Sequence, residues 1–270
     1  MQVQNKVIVV SGGGNGIGRE LVLNLLAKGA TVAAVDISET ALQETVKLAG
    51  NKEHDLSTHV VNITDRDAVA TLPERIISKH GAVDGIINCA GIIQPFVRIK
   101  DLDFAAIERV MNINFYGTLY MTKAFLPHLL KRPEAHITNI SSMGGFLPVP
   151  GQTIYGASKA AVKLLTEGLH SELLNTHVRV TVVFPGAIGT NIAANSGVSI
   201  SARSESGNRQ RSIKALAPSK AAQIIIDGIE QNRYRILVGS DSAFMDFIYR
   251  VSPSRAAKFI FNQMQSLLPE

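Results

Sequence analysis

The sequence predicts an α/β protein with a doubly wound parallel sheet flanked by helices, and three observations lead to this class. Short apolar runs alternate with segments of helical period along nearly the whole chain. The first run, at residues 6–11, is followed by a glycine-rich turn and then by a helical segment. The second run ends in an acidic residue, Asp36, as in dinucleotide-binding sheets. We therefore expect a single Rossmann-like domain over residues 1–270.

The predicted strands and helices alternate and are separated by suitable turn residues. The predicted strands span residues 6–11, 31–36, 59–63, 84–88, 135–141, 178–184 and 235–238. The predicted helices span residues 16–28, 38–48, 65–77, 104–130 and 155–174. Ser38 and Asp65 are suitable N-caps, and Gly29 is placed to end the first helix. Pro127 is expected to bend or end the helix that contains it.

Two segments interrupt this alternation. Residues 193–217 are polar and follow Pro185-Gly186 at a strand end. A long polar loop inside a domain is usually either a lid or disordered, and because this one directly follows a strand end we expect a substrate lid. Residues 243–268 are expected to form a C-terminal helical extension of two short helices split at Ser252-Pro253. Its apolar stripes are interpreted as packing on the core or on a neighbouring subunit, with contact to a membrane surface as the less favoured alternative.

Composition narrows the classes of function. A single cysteine, Cys89, excludes an internal disulfide and a multi-cysteine metal site, and the histidines show no close pair at metal-ligand spacing, so no metal is expected. No secretory signal is visible, and no apolar stretch reaches the roughly 20 residues that span a bilayer, so we expect a cytoplasmic protein. The net charge of +5 is spread along the chain without a nucleic-acid motif, so no nucleic-acid partner is expected.

The turn at residues 11–18 has the glycine spacing that a bound dinucleotide requires. Gly12, Gly16 and Gly18 lack side chains where the backbone must approach a pyrophosphate. The helix that starts near Gly16 points its positive end at the same place. A glycine-rich run alone also occurs in ordinary tight turns, but here it follows a strand and opens a helix.

Asp36 indicates which dinucleotide is bound. Its carboxylate can accept hydrogen bonds from a ribose 2′-hydroxyl, whereas its charge would repel a 2′-phosphate. Neither Asn15 in the turn nor Ile37 after the carboxylate offers a compensating cation. The sequence therefore favours NAD(H) over NADP(H).

Tyr155 and Lys159 form a candidate acid–base pair. They are four residues apart on a predicted helix, so their side chains share one face. A nearby ammonium favours phenolate over phenol, and we therefore expect the pKa of Tyr155 to lie below its usual value of about 10. Such a group can exchange a proton near neutral pH.

Several motifs occur in one order, and together they resemble the short-chain dehydrogenase/reductase family over residues 6–238. The motifs are the turn at 11–18, Asn88-Cys89-Ala90-Gly91, Asn114, Ser142, the Tyr155/Lys159 pair and Pro185-Gly186-Ala187-Ile188-Gly189-Thr190. The chain departs from the family pattern at Ser11, which replaces threonine, at Cys89, and at Asn62, where many members have an aspartate near the adenine. The resemblance implies an NAD-dependent oxidoreductase that interconverts a secondary alcohol and a ketone.

The resemblance also implies roles for individual residues. Tyr155 would act as general base or acid, Lys159 would stabilise the phenolate and bind the nicotinamide ribose, Ser142 would hold the substrate oxygen, and Asn114 would position a water next to Lys159. Asn112 competes with Asn114 for the asparagine role. The cofactor-binding residues implied are Gly12, Asn15, Gly16, Ile17, Gly18, Asp36, Ile37, Asn62, Ile63, Asn88, Ala90, Gly91, Tyr155, Lys159, Pro185, Gly186, Ile188 and Thr190.

Substrate and assembly are less sharply indicated. Ser142, Phe96 and Gln152 are expected to contact substrate, and an apolar pocket is expected from Ile93, Phe96, Met143, Phe146, Leu147 and Val149. A lipophilic substrate is favoured. The alternatives are a 3-oxoacyl thioester as the substrate, or a protein that senses a dinucleotide without catalysis.

The helices at 104–130 and 155–174 carry apolar residues on more than one face, so a homodimer or homotetramer is expected. These apolar residues include Leu119, Met121, Phe125, Leu164, Leu165 and Leu169.

Overall fold

The computed structural model describes residues 1–198 and 215–268 and shows a parallel sheet with helices on both faces. The strands are β1 (Val7–Ser11), β2 (Thr31–Asp36), β3 (Leu56–Val60), β4 (Gly85–Asn88), β5 (Ala135–Ile140), β6 (Val178–Pro185) and β7 (Arg235–Val238). Their order in the sheet is β3-β2-β1-β4-β5-β6-β7, and each neighbouring pair is parallel. The predicted fold class is confirmed.

Helices lie between successive strands, as the connection of parallel strands requires. They are α1 (Gly16–Ala27), α2 (Glu39–Ala49), α3 (Arg66–Ala70), α4 (Leu72–His80), α5 (Phe104–Met111), α6 (Thr118–Leu129), α7 (Thr153–Glu172), α8 (Ile192–Asn195), α9 (Pro218–Glu230), α10 (Ser240–Val251) and α11 (Pro253–Met264). A π-helical segment, Asn112–Gly117, joins α5 to α6.

The direction of the sheet order reverses at β1, and this reversal determines where a ligand can bind. β1 pairs with β2 on one side and with β4 on the other, so that Ser11 lies opposite both Val35 and Asn88. Open parallel sheets bind ligands in the crevice beyond the carboxyl ends of such strands. The glycine-rich turn and the segment after Asn88 both begin in this crevice.

Each face of the sheet is buried under helices. On one face α1 packs against α9, with Leu21 and Leu25 in the same cluster as Ile225. On the other face Phe125 of α6 and Leu169 of α7 lie in one cluster. Full burial of one such side chain stabilises the fold by about 1.5–3 kcal/mol, so both layers hold the strand ends in place.

The third strand was predicted three residues too late, because β3 spans Leu56–Val60 rather than residues 59–63. Two polar residues conceal its start. Ser57 and His59 are buried, and the hydroxyl of Ser57 lies 3.0 Å from Nε2 of His59. Because their polar atoms are paired, these side chains can point inward without the apolar pattern of a buried strand.

The helix predicted at residues 65–77 is two helices, α3 and α4, separated at Thr71. Asp65 caps the first as expected, since its carboxylate accepts hydrogen bonds from the backbone N–H groups of Asp67 and Ala68. Pro73 lies in the first turn of α4, where a missing N–H costs nothing. Helix α9 was not predicted, although its buried stripe, which includes Ala222, is visible in the sequence.

The helix predicted at residues 104–130 is continuous in direction but changes its hydrogen bonding in the π-helical segment Asn112–Gly117. Pro127 lies inside α6, two residues before its end at Leu129. A π-helical insertion changes the direction of the side chains that it contains, and it occurs most often at functional sites. Here it contains Asn114.

The two C-terminal helices meet at Ser252-Pro253, where the sequence placed their boundary. Met245, Ala256 and Ile260 form a small core with Leu147. Residues 199–214, which are most of the predicted lid, lie outside the described residues. Of the helices in the described ranges, none is long and apolar enough to cross a membrane.

Candidate active site

A cavity of about 930 Å³ opens at the carboxyl ends of the strands, at the reversal of the sheet order. Its volume lies within the range of small-molecule and cofactor sites. The residues predicted to bind cofactor or to act in catalysis that line it are Gly12, Asn15, Gly16, Ile17, Gly18, Asp36, Ile37, Asn62, Ile63, Ala90, Gly91, Ser142, Tyr155, Lys159, Pro185, Gly186, Ile188 and Thr190.

The glycine-rich turn is built for close approach of the backbone. Gly12 has a φ of 73°, and a Cβ there would lie 2.9 Å from the backbone nitrogen of Ala90. The hydroxyl of Ser11 accepts hydrogen bonds from the N–H groups of Cys89 and Ala90, at 3.1 and 3.3 Å, which fixes the turn against the segment after β4. These contacts leave only the space that glycines permit.

The first turn of α1 can receive an anion. The side chain of its N-cap residue, Asn15, makes no capping hydrogen bond. The N-terminal N–H groups of a helix without such a cap can bind a phosphate, and the helix dipole adds to the attraction. Arg19 holds the turn from behind, because its Nε donates to the carbonyl of Gly14 at 2.8 Å and its Nη2 contacts Glu44 at 2.6 Å. The residues present therefore fit a dinucleotide.

Asp36 lines this cavity at the end of β2. Its Oδ2 accepts a hydrogen bond from the N–H of Gly14 at 3.0 Å, and its Oδ1 accepts one from the N–H of Ser38 at 3.0 Å. Each carboxylate oxygen keeps a second lone pair for a ligand hydroxyl. Ile37, which follows, is 68% exposed and carries no charge toward the cavity. Asn62, which also lines the cavity, uses its Oδ1 to accept from the N–H and the hydroxyl of Thr64.

Lys159 is buried at the inner wall of the cavity. Its ammonium donates a hydrogen bond to the carbonyl of Ile140 at 3.0 Å. Burial disfavours the charged form and lowers the pKa of Lys159 to about 8. Lys159 is therefore still largely protonated at pH 7, with further N–H donors for a ligand.

The expected effect of Lys159 on Tyr155 is not what the structure shows. Burial raises the pKa of the Tyr155 phenol above its ordinary value, and a hydrogen bond with Ser142 offsets only part of this. The hydroxyl of Ser142 also accepts from the N–H of Gly144 at 3.0 Å, which fixes its position beside the ring of Tyr155.

Asn114, rather than Asn112, occupies the interior position. Asn114 is fully buried, whereas Asn112 is exposed at the cavity rim. The amide of Asn114 donates to the carbonyl of Ile92 at 3.0 Å and to the hydroxyl of Ser158 at 3.0 Å, and its Oδ1 accepts from the N–H of Ile92 at 2.9 Å. A Cβ on Gly91 would lie 3.1 Å from Nζ of Lys159 and 3.2 Å from Oδ1 of Asn114, so these two groups flank the same small space.

Comparison with known proteins decides the family. The model of the short chain dehydrogenase family matches residues 6–199. The chain belongs to the short-chain dehydrogenase/reductase family. It is therefore an oxidoreductase with a nicotinamide dinucleotide cofactor, as other members of this family are.

Two relatives of this short-chain dehydrogenase extend the comparison. SadH of Mycobacterium tuberculosis is 33% identical over 270 residues, which cover 98% of both chains. The 3-oxoacyl-[acyl-carrier-protein] reductase FabG of Thermotoga maritima is 37% identical over 192 residues, which cover 70% of this chain and 77% of FabG.

Two solved structures show the same fold. A short-chain dehydrogenase/reductase of Burkholderia phymatum, in complex with NAD, has a TM-score of 0.78 and 26% identity over 88% of this chain and 90% of its own. A short-chain dehydrogenase of Burkholderia cenocepacia, in complex with NADP, has a TM-score of 0.79 and 24% identity over 96% of this chain and 99% of its own.

Three residues predicted to touch cofactor or substrate do not line the cavity. Asn88 is buried, and its Nδ2 donates to Oδ1 of Asn139 at 2.8 Å, so it ties β4 to β5. Gln152 is buried, and its Nε2 donates to the carbonyl of Gln94 at 2.7 Å. Phe96 lies beside Gly151, outside the cavity wall. A strand-end motif does not show from sequence which of its side chains turn toward the ligand.

The predicted apolar pocket is also placed differently. Leu147 belongs to the core formed with α10 and α11, and Phe146 and Val149 pack against it. These side chains therefore pack against the apolar stripes of the two C-terminal helices instead of lining the cavity. Of the predicted set, Ile93 does line the cavity.

Residues of α5 that line the cavity were missed. Ala105, Glu108 and Arg109 lie on one helical face and form a wall of the cavity together with Asn112, which follows α5 and was considered above for the asparagine role. Their spacing of three and four residues was a visible signal, but a long helix was interpreted as a packing element. In the described ranges no group of three or more His, Cys, Asp or Glu side chains is arranged to hold a metal.

Proposed function

We propose that this protein is an NAD(H)-dependent oxidoreductase that interconverts a secondary alcohol and a ketone. One observation carries the proposal. Ser142, Tyr155 and Lys159 line the same cavity as the glycine-rich turn and Asp36. A protein that only binds a dinucleotide does not need a phenol, a hydroxyl and an ammonium together at the far end of the site.

The chemistry follows from these groups. When bound, the nicotinamide dinucleotide supplies the group that accepts or donates the hydride. Tyr155, as phenolate, takes the hydroxyl proton of the alcohol, and as phenol it returns a proton to the carbonyl oxygen in reduction. Ser142 holds that oxygen and stabilises its developing negative charge. Because burial raises the pKa of Tyr155, alcohol oxidation should increase as the pH rises.

Lys159 and Asn114 complete the proposed set. The ammonium of Lys159 stabilises the phenolate and has N–H donors left for the hydroxyls of the nicotinamide ribose after its bond to Ile140. Asn114 and Lys159 flank Gly91, and a water held between them would return protons to solvent. The Oδ1 of Asn114 already accepts from Ile92, and its second lone pair is available for this water.

We further propose a lipophilic substrate. Ile92, Ile93, Ile113, Ile188 and Ile192 line the cavity, and apolar side chains of this kind suit such a molecule. The residues proposed to orient its oxygen are Ser142 and Tyr155.

The test is a screen of secondary alcohols for NAD⁺ reduction, with Tyr155→Phe as control. Loss of the phenolic proton path should reduce turnover by roughly 10²–10⁴-fold. Cofactor affinity should change little, since the substitution removes one oxygen and keeps the ring. Cofactor binding without turnover of any alcohol or ketone would instead indicate a dinucleotide sensor.

A second candidate, reduction of 3-oxoacyl thioesters, has its own support. FabG of Thermotoga maritima is a relative with this activity in its name, and Arg109 places a cation at the cavity wall. Arg109 donates to the carbonyl of Ser196 at 3.4 Å. If the substrate is a thioester on a phosphate-bearing carrier, Arg109→Ala should raise its KM and leave the KM of a small neutral ketone unchanged.

A further inference from the structure

Gln94 links the segment after β4 to the start of the helix that carries Tyr155. It is completely buried although its side chain is polar. Its Oε1 accepts hydrogen bonds from the backbone N–H groups of Ile154 and Tyr155, at 2.8 and 2.9 Å. Its Nε2 donates to the carbonyl of Gly151 at 3.0 Å. One side chain therefore satisfies two N–H groups of the first turn of α7, which have no intrahelical partner.

Gln152 fixes Gln94 in turn. Gln152 is the N-cap residue of α7, but its side chain makes no capping bond to the helix. Instead its Nε2 donates to the backbone carbonyl of Gln94 at 2.7 Å. The two glutamines thus bridge the same two segments in both directions. The side chain of Gln94 binds backbone groups on either side of Gln152, and the side chain of Gln152 binds the backbone carbonyl of Gln94.

We infer that Gln94 is a positioning residue for Tyr155 and that Gln152 supports it. Gln94 binds the backbone of Tyr155 itself, so it sets where the phenol stands relative to Ser142. Neither glutamine lines the cavity, so neither acts by touching a ligand. The inference deepens the proposed function, on which it rests for its kinetic test.

Loss of the Gln94 side chain should change the orientation of Tyr155. Without the Oε1 acceptor, two buried N–H groups lose their partners, and the first turn of α7 shifts or frays to reach water. A displacement of about 1 Å at a reacting group can reduce turnover by roughly 10²-fold. Ser142 sits on a different element, after β5, and would not follow the movement.

The test uses Gln94→Met and Gln94→Glu in the full-length protein. Methionine matches the volume of glutamine but cannot accept from the N–H groups, so kcat should fall by roughly 10- to 100-fold while KM and the cofactor Kd stay within about threefold. Glutamate keeps the two acceptor bonds but loses the donor to the carbonyl of Gly151, so it should restore kcat in part, to a value above that of Gln94→Met. Its charge should also move the basic limb of the pH profile upward, because a nearby carboxylate disfavours the phenolate.

A control separates positioning from general loss of stability. Ile76→Val removes a methylene from the core under α4, away from the cavity, and should lower the thermal midpoint without changing kcat. A Gln94→Met enzyme with kcat within twofold of wild type would overturn the inference. A rise in KM alone would overturn it as well, since that result indicates a direct substrate contact.

A second readout does not depend on turnover. In protein with ¹³C-labelled tyrosine rings, the signal of Tyr155 is identified as the one lost in Tyr155→Phe, and its pKa is measured by titration. Displacement from Ser142 removes the hydrogen bond that favours the phenolate, so Gln94→Met should raise the pKa of Tyr155. An unchanged pKa would refute the positioning role. If no alcohol or ketone is turned over, the proposed function fails, and this titration still decides the role of Gln94.

Discussion

At the scale of single residues, Asp36 shows how a side chain can serve the fold and the ligand at once. Both carboxylate oxygens accept backbone N–H groups, from Gly14 and Ser38, and so hold the glycine-rich turn against α2. Asp36 also lines the cavity, where we propose that its charge meets the ribose 2′ position of the cofactor. A substitution at Asp36 therefore changes both the shape of the turn and the charge at the ligand.

Our prediction on cofactor choice separates these two effects. Asp36→Asn removes the charge at nearly the same volume but leaves only one acceptor oxygen for the N–H groups of Gly14 and Ser38. The affinity for both cofactors reports the loosened turn, and the ratio of the NADP(H) affinity to the NAD(H) affinity, which should increase by about tenfold or more, reports the charge. Adding Ile37→Arg should narrow or reverse the preference, because a guanidinium can bind a phosphate. Dissociation constants from titration give the answer. Glu39→Ala, a nearby acid of α2 outside the cavity, should leave both constants unchanged.

A wild type that bound NADP(H) as tightly as NAD(H) would contradict the assignment of NAD. Weak binding of both cofactors by Asp36→Asn would show that the carboxylate serves mainly to hold the turn.

At the scale of elements, α10 connects the C-terminal extension to the cavity. The Oδ2 of Asp241, in its first turn, accepts a hydrogen bond from the N–H of Ala187 at 2.6 Å. The hydroxyl of Ser242 donates to the carbonyl of Phe184 at 2.8 Å. Two successive residues of α10 thus hold the end of β6 and the segment after it, which contribute Pro185 and Gly186 to the cavity wall.

Asp241→Ala should therefore weaken cofactor binding. Loss of a charge-assisted hydrogen bond costs about 1.5–3 kcal/mol locally, of which we expect roughly 1 kcal/mol, or fivefold, to appear in the Kd. Asp246→Ala is the matched control, because Asp246 lies on the same helix and pairs with Arg235 and Arg250 instead of the segment after β6. Equal effects of the two variants on the Kd would show that α10 acts only through overall stability.

The elements also show what could be predicted from the sequence. β7 was predicted with its observed bounds, since Arg235–Val238 is a short apolar run between turn residues. The start of β3 was concealed because Ser57 and His59 are buried polar residues that bind each other. Helix periodicity found α7 but gave no sign of the bridge at its first turn. A partner such as Gln94, about 60 residues away along the chain, becomes visible only in three dimensions.

For the candidate site, the sequence identified the residues but not their surroundings. Motif spacing identified Ser142, Tyr155 and Lys159, and the structure brings them to one cavity. The direction of the Tyr155 pKa shift was wrong, because a sequence shows that Lys159 is near but not how strongly the phenol is desolvated. The face of α5 that carries Arg109 was overlooked for a related reason, since periodicity does not tell which surface a helix face covers.

At the scale of the whole molecule, two buried histidines make stability depend on pH. Burial lowers the pKa of His59 to about 4 and that of His136 to about 3, from 6.5 when unfolded. Between pH 6.5 and 4 the unfolded chain therefore binds protons that the native chain does not. The free energy of unfolding should fall as the pH falls through this window, by up to about 1.4 kcal/mol per pH unit for each histidine.

Urea unfolding at pH 7, 6 and 5 checks this dependence. His136→Asn should give a shallower pH slope than wild type, whatever its absolute stability, because one of the two buried histidines is gone. His54→Asn is the matched control for loss of an imidazole, since the His54 side chain is 72% exposed. Identical slopes in wild type and His136→Asn would show that His136 accepts a proton in the native state.

The outer face of α7 gives the last prediction, that the protein is a homo-oligomer. Of the apolar residues noted on these helices, Met121, Phe125 and Leu169 are used in the core and are unavailable to a partner. Leu164 instead is 69% exposed.

Small residues accompany Leu164 along one stripe of the same helix. Ala157, Ala161 and Gly168 lie three, four or seven residues from it, and a Cβ on Gly168 would meet nothing within 4 Å. A stripe of small and apolar residues along a 20-residue helix allows a symmetric copy to pack closely. Leu164 would be removed from water if it packed against Leu164 of a second chain.

Leu164→Arg should accordingly shift wild-type dimers or tetramers toward smaller species at micromolar concentration, as measured by light scattering. Two guanidinium groups facing each other across a two-fold axis repel, and neither can leave the interface without exposing its neighbours. Leu174→Arg is the matched control, because Leu174 is also exposed, at 58%, but lies beyond the end of α7. A wild-type protein that is monomeric under these conditions would refute the assembly. An oligomer that both substitutions leave intact would place the interface on another face, with the exposed phenylalanines of α10 and α11 as the next surface to substitute.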